Sequence, residues 1–258
     1  MDIACARCSR PSLKKIPETD AIFANIKARD AQAGARTKRL SMDCKATVCI
    51  GQYCRGGQTR GDCRAADHDM GCKEKYTPLG IVDEDSARLY LSFGSSAKTS
   101  DFIVDGLQDW WRTLSPKERE KTDRLQIKID NGPESSGVRT QFLKRMARLS
   151  SQIGKPLHLL YYPPYHSKYN PIERCWGILE LHWNGATLIN TQTMLAWAQS
   201  MTWKGLPPTV RLNPTTYRKG VSVSKKQMRE IEEQLERNPL LPKWDILIRP
   251  LQPVDSLA

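Results

Sequence analysis

A proline-interrupted stretch at residues 157–185 constrains the fold more than any other part of the chain. It reads LHLLYYPPYHSKYNPIERCWGILELHWNG. The apolar run 157–162 is typical of a buried strand, and the two prolines after it end that strand because proline cannot donate to a sheet. Asn170 followed by Pro171 indicates a helix start. The stretch therefore predicts a strand followed by a helix, with Glu173 at the mouth of that helix.

Glu173 has two interpretations at this point. A carboxylate at the third helical position can return to the backbone amide at the cap position and close a capping box. It can also belong to a group of acids, and two upstream strands supply candidates. In residues 125–130 apolar and polar residues alternate, which puts Asp130 on the polar face at the strand's end. In the predicted strand Leu40–Ile50 the same alternation puts Asp43 in mid-strand, again on the polar face.

A shared site for these acids requires a particular arrangement of the sheet. If the two strands are neighbours, Asp43 and Asp130 lie on one side, and the later helix can bring Glu173 over them. Three carboxylates in one place repel each other, so such a site needs cations between them. Hard oxygen ligands of this kind suit Mg²⁺ or Mn²⁺.

The charge of the chain indicates what it binds. It carries 40 Lys and Arg against 28 Asp and Glu, a net charge of +12 over 258 residues. A surplus of this size favours a polyanionic partner, with nucleic acid as the first candidate, although ribosomal association or simple solubility stays open. No apolar stretch approaches the roughly 20 residues of a membrane helix, and the N-terminus lacks a signal-peptide pattern.

Two further clusters resemble metal sites. Cys5 and Cys8 form a single CxxC pair with no second pair to complete four ligands, so reduced thiols in a cytosolic protein are the simpler interpretation. The segment 65–70 contains Asp-His-Asp, which a turn built on Asp side chains explains. The preceding glycine-rich segment Gly51–Arg64 either contacts a DNA backbone, through Arg55 and Arg60, or forms a solvated loop.

The remaining periodicity completes the order of elements. It predicts a helix over 18–30, a hairpin with strands at 80–83 and 87–93, a helix over 99–114 capped by Ser100, a helix over 136–153 with Val138 facing inward, and a helix over 191–201. After residue 203 prolines interrupt the chain and one short helix, 224–237, is predicted.

This order predicts an α/β fold, a ribonuclease H-like mixed β-sheet flanked by helices. The predicted domains are a linker or remnant at 1–36, a catalytic domain at 37–202 and a Pro-rich C-terminal extension at 203–258.

Four blocks of the sequence resemble a known family. They are SMDCKATV, SDFIVDGLQDWW, IDNGPESSG and YYPPYHSKYNPIERCWGILELHWNG. They closely resemble the DDE transposases of bacterial insertion sequences, specifically the ISAzo-type family, and more distantly mariner-like elements. The resemblance covers roughly Lys15 to Pro250.

The resemblance implies a chemistry and a set of residues. The family's catalytic Asp, Asp and Glu fall on Asp43, Asp130 and Glu173, which implies phosphoryl transfer with two Mg²⁺ or Mn²⁺ ions. It also implies cleavage and transfer of double-stranded DNA, at the element ends and the target, by a homo-oligomer assembled on the DNA. The supporting candidates are Asn131, His166 and Lys168, and the candidate DNA contacts are Arg55, Arg60, Lys168 and Arg174.

One departure from the family leaves two functions open. Only a short stretch precedes Asp43 and it shows no helix-turn-helix pattern, so we expect an N-terminally shortened copy. Such a copy is either an active enzyme or an inactive truncated transposase that binds DNA or inhibits the full-length protein. A ribonuclease H-like nuclease unrelated to transposition is a third possibility, which the four blocks argue against.

Overall fold

The computed structural model describes residues 15–52, 72 and 74–251. The predictions for Cys5, Cys8, the 65–70 turn and most of the Gly51–Arg64 segment lie outside these residues. The strands are β1 Thr37–Cys44, β2 Val48–Ile50, β3 Glu74–Asp83, β4 Leu89–Gly94, β5 Arg124–Asp130, β6 Leu157–Tyr162, β7 Thr209–Asn213, β8 Leu235–Arg237 and β9 Asp245–Ile248. The helices are α1 Thr19–Ala31, α2 Ser100–Thr113, α3 Pro116–Glu120, α4 Thr140–Ile153, α5 Pro171–His182, α6 Thr191–Ser200 and α7 Lys225–Glu232.

The described strands form one mixed sheet in the order β7-β4-β3-β1-β5-β6-β9-β8, with β2 paired to β3. Strands β1, β5 and β6 are parallel, so their carboxyl ends meet at one edge. Strand β3 is antiparallel to both β1 and β4, which confirms the predicted hairpin. The predicted mixed sheet flanked by helices is therefore the observed architecture.

The alternation along β5 explains how the two faces of the sheet are covered. Leu125, Ile127 and Ile129 are fully or almost fully buried in the core that the sheet shares with α2 and α4. The intervening polar residues face the other side, where the Lys128 ammonium lies 2.7 Å from Asp30 of α1. Helices α1, α5 and α6 cover this second face. Residues that alternate with the α2–α4 core therefore point toward α1 and α5.

Three local predictions are wrong. The predicted strand Leu40–Ile50 is two strands, β1 and β2, so Asp43 lies next to the end of β1 rather than in mid-strand. The cap of α2 is Thr99, whose side chain accepts from the Phe102 amide, and not Ser100. Val138 precedes α4 and is 59% exposed rather than inward-facing. In each case the period of the pattern is right and the element's boundary is not.

The C-terminal segment contributes more than the one helix predicted for it. Strand β7 pairs in parallel with β4 at one side of the sheet. Strand β9 pairs with β6 at the other side and carries β8 beyond it. Proline-rich connections hid these short strands. Among the described helices, none is long and apolar enough to cross a membrane.

Candidate active site

Asp43 and Asp130 lie side by side at the carboxyl edge of the sheet. Met42 of β1 is in register with Ile129 of β5, and both side chains are buried in the α2–α4 core. The next residue of each strand is therefore an aspartate that points to the opposite face. Trp176 of α5 lies on that face, and its indole nitrogen donates to Asp43 Oδ2 over 3.4 Å.

Helix α5 brings Glu173 to the same place. Gly80 of β3 is the register partner of Asp43 and has no side chain to hold α5 away. A Cβ at Gly80 would lie 2.6 Å from Ile172 Cδ1 and 2.6 Å from Trp176 Cη2. The first turn of α5 therefore packs directly over β1 and β3, and Glu173 lies in that turn.

The three carboxylates influence one another electrostatically. Burial, followed by the charges of Asp130 and Glu173, raises the pKa of Asp43 to about 7, although the Cys44 amide opposes the rise. Burial and the charge of Glu173 likewise raise the pKa of Asp130, although a hydrogen bond from Asn170 opposes this. Mutual repulsion of this kind marks a group of like charges that a cation would stabilise.

Glu173 does not close the capping box that its position allowed. The Asn170 backbone amide donates to the Ser167 carbonyl at 2.7 Å instead. In the described part of the chain, the Glu173 carboxylate has no hydrogen-bond or ion-pair partner. Glu173 thus lies in the first turn of α5, near Asp43 and Asp130. Its carboxylate is available to bind a ligand.

Asn170 has a different role from the cap predicted for it. Its side chain makes no capping hydrogen bond to α5. Its amide nitrogen donates to Asp130 Oδ1 at 3.2 Å and to the Met42 carbonyl at 3.4 Å, while its oxygen accepts from the Ser41 hydroxyl. Ser41 in turn accepts from the Ile172 amide at 2.9 Å. This largely buried network joins β1, β5 and the start of α5, and it fixes one oxygen of Asp130.

The donor set suits a hard divalent cation. Besides the three carboxylates, the Asn131 Oδ1 atom is buried and has no hydrogen-bond partner. Carboxylate and amide oxygens are the ligands that Mg²⁺ and Mn²⁺ prefer. Among the described residues, however, no three Asp, Glu, His or Cys side chains already converge tightly enough to hold a metal ion.

The other predicted site residues are placed differently. His166 is 3% exposed, its Nδ1 atom lies 2.7 Å from the Pro164 carbonyl, and its ring stacks on Tyr169. Lys168 is exposed, with its ammonium 5.1 Å from the Tyr169 ring centre, and Arg174 is exposed on α5. The phosphate and DNA contacts assigned to these three residues stay predictions. Arg55 and Arg60 lie outside the described residues.

Sequence reasoning missed Lys98, Trp176 and Gly80. Lys98 lies between β4 and α2, and its ammonium lowers the pKa of both Asp43 and Asp130. It also lies 3.8 Å from Glu134. No local pattern distinguishes a lysine in this loop from a solvated one. Trp176 and Gly80 can be assigned to the site only when the register of β1 with β3 is known, because that register places Gly80 opposite Asp43.

A mixed sheet with this strand order, with helices on both faces and acidic residues at one edge, has a ribonuclease H-like fold. The chain belongs to the Rhodopirellula transposase DDE domain family, whose model matches residues 7–250. This confirms the family resemblance of the sequence blocks. No curated protein matches the chain.

The Mos1 strand transfer complex agrees with this chain at the level of the fold. The crystal structure of the Mos1 strand transfer complex has a TM-score of 0.50 at 10% identity, over 75% of this chain and 57% of that chain. The Mos1 mariner paired end complex with Mn has a TM-score of 0.49 at 11% identity and the same coverage. The chain therefore spans little more than half the length of these proteins, and at such identity the likeness is one of fold alone.

Proposed function

We propose that the chain is a transposase that cleaves DNA strands at the ends of an insertion sequence and transfers them to target DNA. Asp43, Asp130 and Glu173 are the proposed catalytic carboxylates. The observation that carries the proposal is the meeting of these acids, from two neighbouring strands and one helix, at one edge of the sheet. Membership of a transposase family supports the same reaction class.

The chain's own residues prepare the site for this chemistry. Two Mg²⁺ or Mn²⁺ ions bound by the carboxylates would supply activation of the attacking hydroxyl and stabilisation of the leaving oxygen. Asn170 holds one oxygen of Asp130, which leaves the other oxygen for an ion. Asn131 offers an amide oxygen beside it, and Lys98 offsets part of the negative charge of the carboxylates.

The proposed partner is double-stranded DNA. The net charge of +12 favours association with a polyanion. Lys168 and Arg174 flank Glu173 and are the proposed contacts to the phosphates near the reacting bond. A homo-oligomer assembled on the DNA is proposed because one cleaved end must be joined to a second DNA site.

A cleavage assay tests the function. Purified protein is incubated with labelled element-end DNA and Mg²⁺ or Mn²⁺, and nicked and joined products are measured. We expect cleavage that requires the divalent ion and falls roughly 10²–10³-fold or more in Asp130→Asn. The control is Asp109→Asn, which removes a surface carboxylate paired with Arg112. Full cleavage by Asp130→Asn would refute the assignment.

An inactive transposase that binds DNA, or inhibits a full-length copy, is the second candidate. The observation that favours it is the net charge of +12, because electrostatic DNA binding does not require a working metal site. The same assay separates the two functions. Salt-sensitive DNA binding by the wild type without any cleavage would support the second candidate.

A further inference from the structure

A basic groove lies beside the carboxylates and was not predicted from the sequence. Its volume is about 690 Å³. Its walls come from β3, the loop between β4 and α2, the start of α4 and the segment after β7. Five cations line it, namely Lys75, Lys98, Arg139, Arg218 and Lys219. The groove thus collects basic residues that are far apart along the chain.

The charges of the groove are not balanced from within. Two acids, Asp101 and Glu134, also line it. Asp101 already accepts from Gln141 and pairs with Arg145 outside the groove, and Glu134 faces Lys98. In the described part of the chain, Arg139, Arg218 and Lys219 have no carboxylate partner and are exposed. Repulsion among such cations costs stability, which an anionic ligand would recover.

Lys98 connects the groove to the candidate active site. It lines the groove and also a smaller cavity of about 30 Å³ that touches Asp43 and Asp130. Its ammonium is close enough to both carboxylates to influence their ionisation. A chain of phosphates lying in the groove would therefore reach the carboxylates at the lysine.

We propose that this groove holds the sugar–phosphate backbone of the DNA strand that enters the carboxylate site. The inference rests on the proposed function and adds the path of the substrate to it. A groove lined by five cations matches the repeated negative charge of a nucleic-acid strand better than the single charge of a small anion. The groove hydroxyls of Ser96, Thr99 and Ser100 already bond to protein groups, so the cations remain the principal contacts.

The salt dependence of DNA binding tests the proposal. Binding of a labelled duplex with a single-stranded tail is measured by fluorescence anisotropy, without divalent ions, between about 50 and 200 mM salt. The groove variant combines Arg139→Gln, Arg218→Gln and Lys219→Gln. We expect the slope of log K against log salt to become shallower by roughly 2 to 3, because each lost phosphate contact removes nearly one released counterion.

The matched control neutralises three exposed cations at the opposite end of β5. It combines Lys117→Gln, Lys121→Gln and Arg124→Gln, which change the net charge equally. Its slope is expected to stay near that of the wild type. Equal slopes for the groove and control variants would overturn the proposal. If the triple variant does not fold, as judged by its thermal unfolding, the exposed pair Arg218→Gln and Lys219→Gln carries the same comparison.

Failure of the groove and failure of the proposed function give different results. Because binding is measured without divalent ions, it does not depend on cleavage. A wild type that binds through the groove but never cuts DNA contradicts only the proposed enzyme. A wild type that cuts DNA while the groove variant keeps the full salt slope contradicts only the groove.

Discussion

Asp43 is the residue at which function and stability conflict most. Its carboxyl is largely buried next to two other acids, and this raises its pKa from 3.8 to about 7. A raised acid pKa in the folded state lowers the stability of that state at any pH where the unfolded chain is ionised. The folded state therefore keeps its full stability below about pH 4, and its free energy of unfolding declines as the pH rises toward 7.

The substitution Asp43→Asn tests this conflict. The difference between the two pKa values corresponds to about 4 kcal/mol of stability lost by pH 8. We therefore expect Asp43→Asn to be more stable than the wild type at pH 8 and about equally stable at pH 4, as measured by urea unfolding at both values. Asp20→Asn, at an exposed position on α1, serves as the control and should change neither value appreciably. A wild type no less stable than Asp43→Asn at pH 8 would contradict the electrostatic account.

Helix α5 positions Glu173, and its distance from the sheet depends on one glycine. A methyl group at Gly80 would clash with the Trp176 ring, which is rigid and bonds to Asp43. The Gly80→Ala variant therefore has to displace the start of α5. We expect a loss of about 1–3 kcal/mol in unfolding free energy, and a 10- to 100-fold fall in cleavage rate, since a displacement of about 1 Å has effects of that size.

Gly177 provides the matched control on the same helix. A Cβ there would meet no atom within 4 Å. Because glycine is unfavourable inside a helix, Gly177→Ala should stabilise the protein by up to about 1 kcal/mol and leave cleavage unchanged. Normal cleavage by Gly80→Ala would mean that the position of Glu173 does not depend on this contact.

The elements around the site differ in how well their sequences predict them. The alternation in β5 and the proline-bounded strand β6 depend only on local chemistry, so both strands and the face of Asp130 were predicted from sequence. Asn170 has the sequence context of a helix cap, yet its side chain bonds to Ser41 and Asp130. Ser41 lies 129 residues before Asn170 in the chain, and Asp130 lies 40 residues before it. No local pattern can encode hydrogen bonds to such distant residues.

At the scale of the whole molecule, the C-terminal segment closes both sides of the sheet. Ile246 and Ile248 of β9 are completely buried against β6 and α4. Asp245 at the start of β9 lies 2.6 Å from His158 of β6 and pairs with Arg29 of α1. The sequence concealed this because β7, β8 and β9 are only five, three and four residues long and lie among prolines. Their stability comes from pairing with distant strands rather than from their own pattern.

A truncation tests whether the segment after residue 202 is an appendage or part of the sheet. Ending the chain at residue 202 removes the strands that pair with β4 and β6, exposes both edges and takes Asp245 away from His158. Exposed edges and a depleted core favour aggregation over a unique fold. We expect this chain to bind a hydrophobic dye and to lose cooperative thermal unfolding, whereas a chain ending at Leu251 keeps a sharp transition. If the shorter chain unfolds as sharply, the β5–β6 half of the sheet is stable without β9, and the site carboxylates do not depend on the C-terminal strands.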